Sequence, residues 1–190
     1  MSRSVQPVKL VVAGGFGVGK TTFVGAVSEV TPLRTEAAMT TAAVGIDDNS
    51  MVSTKTTTTV AMDFGRITVD ESLVVYLFGT PGQDRFGFMW DDICSGALGA
   101  CVLVDTRRIE QSFPAVDYFE AKGTPYVIGV NFFDGAPLHH LDEVREAMGI
   151  PWEIPMLAID ARSKESAKEL LLALLGVLVA RARKRTAARV

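Results

Sequence analysis

Residues 14–21 read Gly-Gly-Phe-Gly-Val-Gly-Lys-Thr and match the pattern G-x-x-x-x-G-K-[ST] at every fixed position. Such a loop cradles phosphate groups, because its glycines let the backbone fold tightly and point N–H groups at phosphate oxygens. An apolar strand predicted over residues 8–13 enters the loop, and a helix predicted over residues 22–28 leaves it. The segment therefore predicts a site for a nucleoside triphosphate with Mg²⁺, in which Lys20 meets the β and γ phosphates and Thr21 binds the metal.

The length and composition predict one globular domain. The chain has 190 residues, 48% of them apolar, which is enough for one well-buried core and short for two. We therefore expect a single domain over residues 1–190, with flexible ends at 1–7 and 186–190. The net charge of −3 gives no electrostatic reason to expect nucleic acid as a partner.

We expect the protein to be cytoplasmic. Residues 1–7 lack the apolar segment of a secretory signal, and the apolar run at 170–180 is shorter than the ~20 residues that span a bilayer. We expect no lipid anchor, because position 2 is serine rather than glycine and no cysteine lies near residue 190. The basic residues at 181–189 leave two interpretations open: a solvated helix end, or a contact with acidic lipid or protein at the inner face of the membrane.

Predicted strands and helices alternate along the rest of the chain. Strands are predicted over 59–69, 73–78, 98–104, 125–130 and 156–159, and helices over 84–94, 113–122, 138–148 and 164–185. The short turn at 70–72 makes its two flanking strands antiparallel. This order predicts a three-layer α/β fold, with a mainly parallel six-stranded sheet that contains one antiparallel strand. Residues 31–56 lack periodicity, and we expect a mobile functional loop there.

A second glycine-containing segment, residues 79–83, reads Gly-Thr-Pro-Gly-Gln and follows a predicted strand. It lies where a sensor of the γ phosphate is needed, because the N–H of Gly82 can approach that phosphate and Gln83 can orient the attacking water. Thr59, at the end of the predicted loop, can complete the magnesium shell. The predicted catalytic residues are therefore Gln83, Lys20 and Thr59, and the predicted metal ligands are Thr21 and Thr59.

Two further segments at strand ends, residues 131–134 (Asn-Phe-Phe-Asp) and 160–162 (Asp-Ala-Arg), are suited to a purine base. The carboxylate of Asp134 can accept hydrogen bonds from N1 and N2 of guanine, which adenine does not offer, and the N–H of Ala161 can meet O6. Such a site excludes adenine because its polar groups would be left unpaired. The residues predicted to bind the nucleotide are Gly15, Phe16, Gly17, Val18, Gly19, Lys20, Thr21, Thr22, Gly82, Asn131, Phe132, Asp134, Ala161 and Arg162.

The ordered set of motifs resembles that of the Ras-like superfamily of small GTPases over nearly the whole chain. Residues 56–65 (TTTTVAMDFG) and 78–86 (FGTPGQDRF) are also similar to the GTPases of actinobacterial conservons and to the MglA-type bacterial polarity GTPases. The resemblance implies a switch that binds GTP and GDP, hydrolyses GTP slowly and signals within a bacterial multi-protein sensor system. It also implies two partners, a roadblock-fold protein and a sensor-kinase-like protein.

Three residues depart from the pattern of that superfamily. Gly79 replaces the Asp of D-x-x-G that is associated with magnesium. Asp63, on a neighbouring predicted strand, is a candidate substitute, and the alternative is a polar residue on a sheet face. Phe16 replaces a small residue near the γ phosphate, where its bulk would slow hydrolysis. Phe132 replaces the Lys of N-K-x-D and keeps an apolar lid over the base.

Several alternatives stay open from the sequence. Arg34 and Arg85 are candidates for an internal arginine finger, or else surface charges in loops that meet partners. A nucleotide-binding scaffold without hydrolysis is the second hypothesis for function, based on Gly79 and Phe16. A third, an adenine-nucleotide kinase or ATPase, is disfavoured by the pattern N-x-x-D at residues 131–134.

Overall fold

The computed structural model describes residues 5–31, 33–40, 57–82 and 89–187, with the side chains of 33–40 and 57–61 left aside. The strands are β1 (Gln6–Ala13), β2 (Leu33–Thr40), β3 (Thr57–Asp70), β4 (Leu73–Gly79), β5 (Gly99–Val104), β6 (Tyr126–Asn131) and β7 (Met156–Ile159). The helices are α1 (Lys20–Val27), α2 (Trp90–Cys94), α3 (Phe113–Lys122), α4 (Leu141–Met148) and α5 (Lys164–Ala187), with a 3-10 helix at Thr106–Ser112.

The described strands form one sheet in the order β2-β3-β4-β1-β5-β6-β7. β1 pairs in parallel with β4 and β5, and the pairs β5–β6 and β6–β7 are also parallel. β3 is antiparallel to both of its neighbours, β2 and β4. Among the described strands, β3 is therefore the one that runs against the others, and the predicted α/β class with a mainly parallel sheet is confirmed.

The sheet has one strand more than the predicted six, because β2 lies within residues 31–56, which were expected to form a loop. β2 pairs with β3 from Leu33 opposite Phe64 to Thr40 opposite Thr57. The sequence did not predict β2 because an edge strand is held by main-chain hydrogen bonds to one neighbour. Its apolar and polar residues therefore need not alternate. The rest of that predicted loop, residues 41–56, lies outside the described residues.

The apolar residues of β1 face two separate cores. Leu10 and Val12 join the core under α1 and α5, whereas Val11 and Ala13 join the core under α2, α3 and α4. This alternation follows from the two-residue period of a strand that is buried on both faces. Large helix side chains in these cores include Phe23, Leu170 and Leu174 on the first face, and Trp90, Phe119 and Met148 on the second. The three-layer prediction is thus confirmed.

Several element ends differ from the sequence prediction. β1 begins at Gln6, inside the segment expected to be flexible, and α4 begins at Leu141 rather than at residue 138. His140 has an extended backbone with ψ 139°, and its N–H donates to the carboxylate of Glu143 at 3.2 Å, which caps the helix there. Among the described residues, no helix has both the length and the apolarity needed to cross a membrane.

The parallel pairing brings five polar or glycine-rich segments to one edge of the sheet, because parallel strands all end on the same side. The loop at residues 14–19 follows β1, residues 80–82 follow β4, and Asp105 follows β5. Asn131 is the last residue of β6, and Asp160 comes directly after β7. This edge is the candidate functional site.

Candidate functional site

The loop that joins β1 to α1 has a backbone that requires glycine. Gly14 and Gly19 have φ angles of 136° and 106°, a region that residues with a Cβ rarely adopt. A Cβ on Gly14 would lie 2.4 Å from the carbonyl oxygen of Leu103, and one on Gly19 would lie 2.8 Å from Nδ2 of Asn131. The fixed glycines of the motif therefore let this loop, residues 14–19, pack against the ends of β5 and β6.

Lys20 places a buried positive charge inside the loop. Its side chain is 8% exposed, and Nζ donates to the carbonyl oxygens of Gly14 at 2.8 Å and Gly15 at 2.7 Å. Burial lowers the pKa of Lys20 to about 8, against the opposing attraction of the Asp63 carboxylate. A buried ammonium whose pKa is depressed gains from any anion that enters the loop, as the predicted role in phosphate binding requires.

Thr21 and Asp63 form a pair beside Lys20. Oγ1 of Thr21 donates to Oδ2 of Asp63 at 2.7 Å. A Cβ on Gly79 would lie 3.0 Å from Cβ and 3.1 Å from Oδ2 of Asp63, so the aspartate side chain lies in the space next to this glycine. This geometry favours the interpretation that Asp63 substitutes for the carboxylate that is missing at Gly79. It speaks against the alternative, in which Asp63 is only a polar residue on a sheet face.

A cavity of about 360 Å³ opens over the loop. Its lining includes Phe16, Gly17, Gly19, Lys20, Thr21, Thr22, Asp63, Thr80, Pro81 and Gly82, seven of which were predicted to bind nucleotide. Gly82 lies against the loop, since a Cβ on it would be 2.6 Å from Nζ of Lys20 and 2.8 Å from Cα of Phe16. Oγ1 of Thr80 is buried and has no hydrogen-bond partner within the described part of the chain.

The donor set in this cavity fits a magnesium ion. Mg²⁺ prefers oxygen ligands and is usually held by one or two protein groups together with phosphate and water. Thr21, Asp63 and the unpartnered hydroxyl of Thr80 supply such oxygens. The described residues contain no group of three or more His, Cys, Asp or Glu side chains able to hold a metal alone, so the phosphates would have to contribute ligands.

Asn131 connects the phosphate-binding loop to residues 160–162, the second segment predicted to bind the base. Its Nδ2 donates to the carbonyl oxygen of Val18 at 2.9 Å, and its Oδ1 accepts the N–H of Ala161 at 2.9 Å. The side chain is buried, which strengthens both bonds. The N–H of Ala161, predicted to meet O6 of the base, is thus already bonded to Asn131 and would have to be shared.

Asp134 and Arg162 form an ion pair between residues 131–134 and residues 160–162, which together are called the base segment. Nη1 of Arg162 lies 2.7 Å from Oδ2 of Asp134, and Nη2 lies 2.8 Å from Oδ2 of Asp160. The Arg162 guanidinium lowers the pKa of both carboxyl groups. It also lies 5.9 Å from the ring centroid of Phe132. The carboxylate predicted to recognise guanine is therefore ionised, with a cation as its present partner.

Some predicted residues have no described side chain. Gln83 and Arg85 lie outside the described residues. Thr59 lies in β3 and Arg34 in β2, but their side chains are likewise outside the description. Their predicted roles in water positioning, metal binding and charge stabilisation stay predictions.

Asp105 and the 3-10 helix that follows it were not predicted from the sequence. Asp105 is 3% exposed and forms ion pairs with Arg107 at 2.8 Å and Arg108 at 3.3 Å. A signal was available, because Asp105 directly follows a buried apolar strand, just as Gly14 follows β1. Arg107 also stacks over Phe133 at 3.8 Å, which ties this helix to the base segment.

Comparisons with known protein sequences identify one family and one relative. A family model described as "Conserved hypothetical ATP binding protein" matches residues 12–180. The uncharacterized protein MJ1339 of Methanocaldococcus jannaschii is 32% identical over 129 residues, which cover 67% of this chain and 71% of that protein.

Solved structures show the same fold. The G domain of the T. maritima FeoB iron transporter matches with a TM-score of 0.61 at 17% identity, over 90% of this chain and 98% of that domain. The cytosolic domain of the same transporter matches in its apo form and in a GDP form, with TM-scores of 0.62 and 0.63 at 16% and 17% identity. Those matches cover 91% and 92% of this chain, which spans 64% of each cytosolic domain. The architecture is therefore that of a G domain.

The contact between Asp63 and Gly79 generates a stability prediction. Gly79→Asp should lower the free energy of unfolding by about 1–3 kcal/mol, because the new side chain would crowd Asp63 and bring two carboxylates together. The double variant Asp63→Gly with Gly79→Asp should recover most of that loss. Urea denaturation without nucleotide measures both values. Unchanged stability in the single variant, or no recovery in the double variant, would contradict the arrangement.

Proposed function

Since this chain belongs to the family of conserved hypothetical ATP-binding proteins, whose model it matches over residues 12–180, we propose that it binds a purine nucleoside triphosphate. The observation that carries the proposal is the side chain of Asn131, which bonds at once to Val18 of the phosphate-binding loop and to Ala161 of the base segment. These two bonds hold the segments that would bind the phosphates and the base at one edge of the sheet. Lys20 and the backbone N–H groups of the loop would bind the phosphates.

We propose guanine as the base, although the family carries adenine nucleotide in its name. The exposed side chain of Asp134 offers two carboxylate oxygens, and the Arg162 guanidinium lowers its pKa, so it accepts hydrogen bonds at neutral pH. Guanine presents two N–H donors on one edge, whereas adenine has no donor at N1. A GDP form of the cytosolic domain of the T. maritima transporter also supports this choice by fold analogy.

Mg²⁺, when bound, would neutralise phosphate charge and polarise the phosphoryl group that is transferred to water. Thr21, held by Asp63, is the protein ligand we propose, together with Thr59. Asp63 orients the Thr21 hydroxyl and supplies the negative charge that Gly79 does not. Lys20 stabilises the negative charge of the phosphates from within the loop.

We further propose that the protein is a slow GTP hydrolase that acts as a switch. Gln83 would orient the water, and Gly82, which lies against Lys20 and Phe16, would sense the γ phosphate. The GTP form would present residues 34–59 and 80–90 to a partner. The roadblock-fold and sensor-kinase-like partners, the sensor system and recruitment to the inner membrane face rest on the sequence resemblance.

The choice of base can be tested by competition of GTP, ATP and xanthosine triphosphate against a fluorescent GDP. The wild type should prefer GTP over ATP by at least about tenfold, because guanine offers the Asp134 carboxylate two N–H donors on one edge and adenine does not. Asp134→Asn should weaken GTP and gain xanthosine triphosphate. Asp160→Asn is the matched control, since it removes the other carboxylate bonded to Arg162 and should keep the guanine preference. Unchanged preference in Asp134→Asn, or tighter binding of ATP by the wild type, would contradict guanine recognition.

The depressed pKa of Lys20 predicts a pH dependence of binding. The free protein loses the Lys20 proton above about pH 8, whereas bound phosphate favours the ammonium. Affinity should therefore fall as pH rises above 8, by up to about tenfold per pH unit, and stay insensitive to this group at lower pH. Titration calorimetry at pH 8.5 in two buffers of different ionisation enthalpy should show uptake of most of one proton. Binding without proton uptake at that pH would contradict the prediction.

Hydrolysis is tested by single-turnover phosphate release from bound GTP. Phe16 is 60% exposed at the cavity, and Phe16→Gly should raise the rate several-fold by making room for the water. Gln83→Leu should abolish release while GTP affinity, measured in parallel, stays near the wild-type value. No release from the wild type under any metal condition would instead support the scaffold.

A further inference from the structure

We propose that Arg108 contacts the polyphosphate of the bound nucleotide as a second protein cation, supplied from the 3-10 helix at Thr106–Ser112. The inference rests on the proposed function, because it assigns a residue to the same nucleotide site. Neither the motifs of the sequence nor the comparisons mark this residue.

The 3-10 helix at Thr106–Ser112 lies next to the phosphate-binding loop. It packs against the outside of the phosphate-binding loop, where a Cβ on Gly15 would lie 2.7 Å from Cβ of Gln111. A Cβ on Gly17 would lie 3.4 Å from Nη2 of Arg108. Gly17 also lines the cavity over the loop, so Nη2 of Arg108 lies beside a residue of the proposed phosphate site.

Arg108 and its neighbour Arg107 share one anchor but are held differently. Asp105 accepts Nε of Arg107 at 2.9 Å and Nη2 at 2.8 Å, and the Arg107 guanidinium stacks over Phe133. Within the described part of the chain, the side chain of Arg108 makes one hydrogen bond, from Nη2 to Asp105 at 3.3 Å. A guanidinium has five N–H donors, so most of those on Arg108 are available to phosphate oxygens.

The backbone of Arg108 also sets it apart. Its φ and ψ of −147° and 52° are not helical and interrupt the 3-10 helix at this residue. The interruption falls on a residue whose side chain lies beside Gly17 of the loop. The buried carboxylate of Asp105, which is 3% exposed, fixes the start of the segment and limits the movement of both arginines.

The charge of the cavity favours a further cation. Of the described residues that line it, Lys20 alone is cationic, and Asp63 is a carboxylate. These two charges cancel, and a nucleoside triphosphate carries more negative charge than one Mg²⁺ neutralises. The guanidinium of Arg108 would make this wall of the site positive, and charge-assisted hydrogen bonds to phosphate are among the strongest in proteins.

The test compares Arg108→Ala with the matched control Arg107→Ala in equilibrium binding of GTP, GDP and GMP. Arg108→Ala should lower the affinities for GTP and GDP about tenfold and leave GMP within about twofold, because one charge-assisted phosphate contact is lost. Arg107→Ala should stay within about threefold of the wild type for GTP and GDP. Arg108→Lys, which keeps the charge, should restore part of the loss.

Several outcomes would overturn the proposal. Equal GTP affinities in Arg108→Ala and the wild type would do so, as would equal losses for GTP, GDP and GMP accompanied by a fall in Tm, which would mark a structural role. Normal binding of GTP by Arg108→Gln, a variant that keeps the size but not the charge, would also overturn it. A wild type that binds neither GTP nor GDP would overturn the proposed function itself, which distinguishes the two failures.

Discussion

The buried charge of Lys20 is the constraint on which the site depends. An ammonium removed from water needs hydrogen-bond acceptors close by, and here the carbonyl oxygens of Gly14 and Gly15 supply them. Those carbonyls are within reach because glycines adopt backbone angles that other residues rarely take. The loop, in turn, can be this tight only because β1 and α1 are anchored in the two cores of the sheet. The fold thus holds a buried cation whose hydrogen-bond partners are neutral carbonyl groups, which favours binding of phosphate beside it.

Asp63 and Gly79 lie beside one another on the neighbouring strands β3 and β4. Phe64 and Phe78 are paired across β3 and β4, and the next residues toward the site are Asp63 and Gly79. Directly opposed residues in an antiparallel pair have their side chains within about 5 Å of one another. A carboxylate on either strand therefore reaches the same region, and a glycine on the other leaves room for it. Thr21, bonded to Asp63, shows that this region adjoins the phosphate-binding loop.

Three arginines organise the remainder of the edge through aspartates that follow strands. Arg162 joins Asp134 to Asp160, and Arg107 and Arg108 share Asp105. The pKa of each of these carboxyl groups is lowered by its arginine, so all three remain ionised at neutral pH. The exposed pair of Arg162 and Asp134 contributes little to stability, since water screens it. A ligand can therefore replace one partner at small cost, as the proposed recognition of guanine by Asp134 requires.

The order of motifs along the chain was sufficient to predict the α/β class, the glycine loop between β1 and α1 and the edge of the sheet at which Asn131 meets that loop, because buried parallel strands and glycine loops have strong local signals. β2 could not be predicted, since an edge strand depends on pairing with β3 and not on its own pattern. The proximity of Asp63 to Gly79, the bond between Asp134 and Arg162 and the place of Arg108 beside Gly17 were likewise decided by tertiary structure. Each joins residues distant in sequence whose proximity depends on strand register and helix packing, neither of which a local pattern contains.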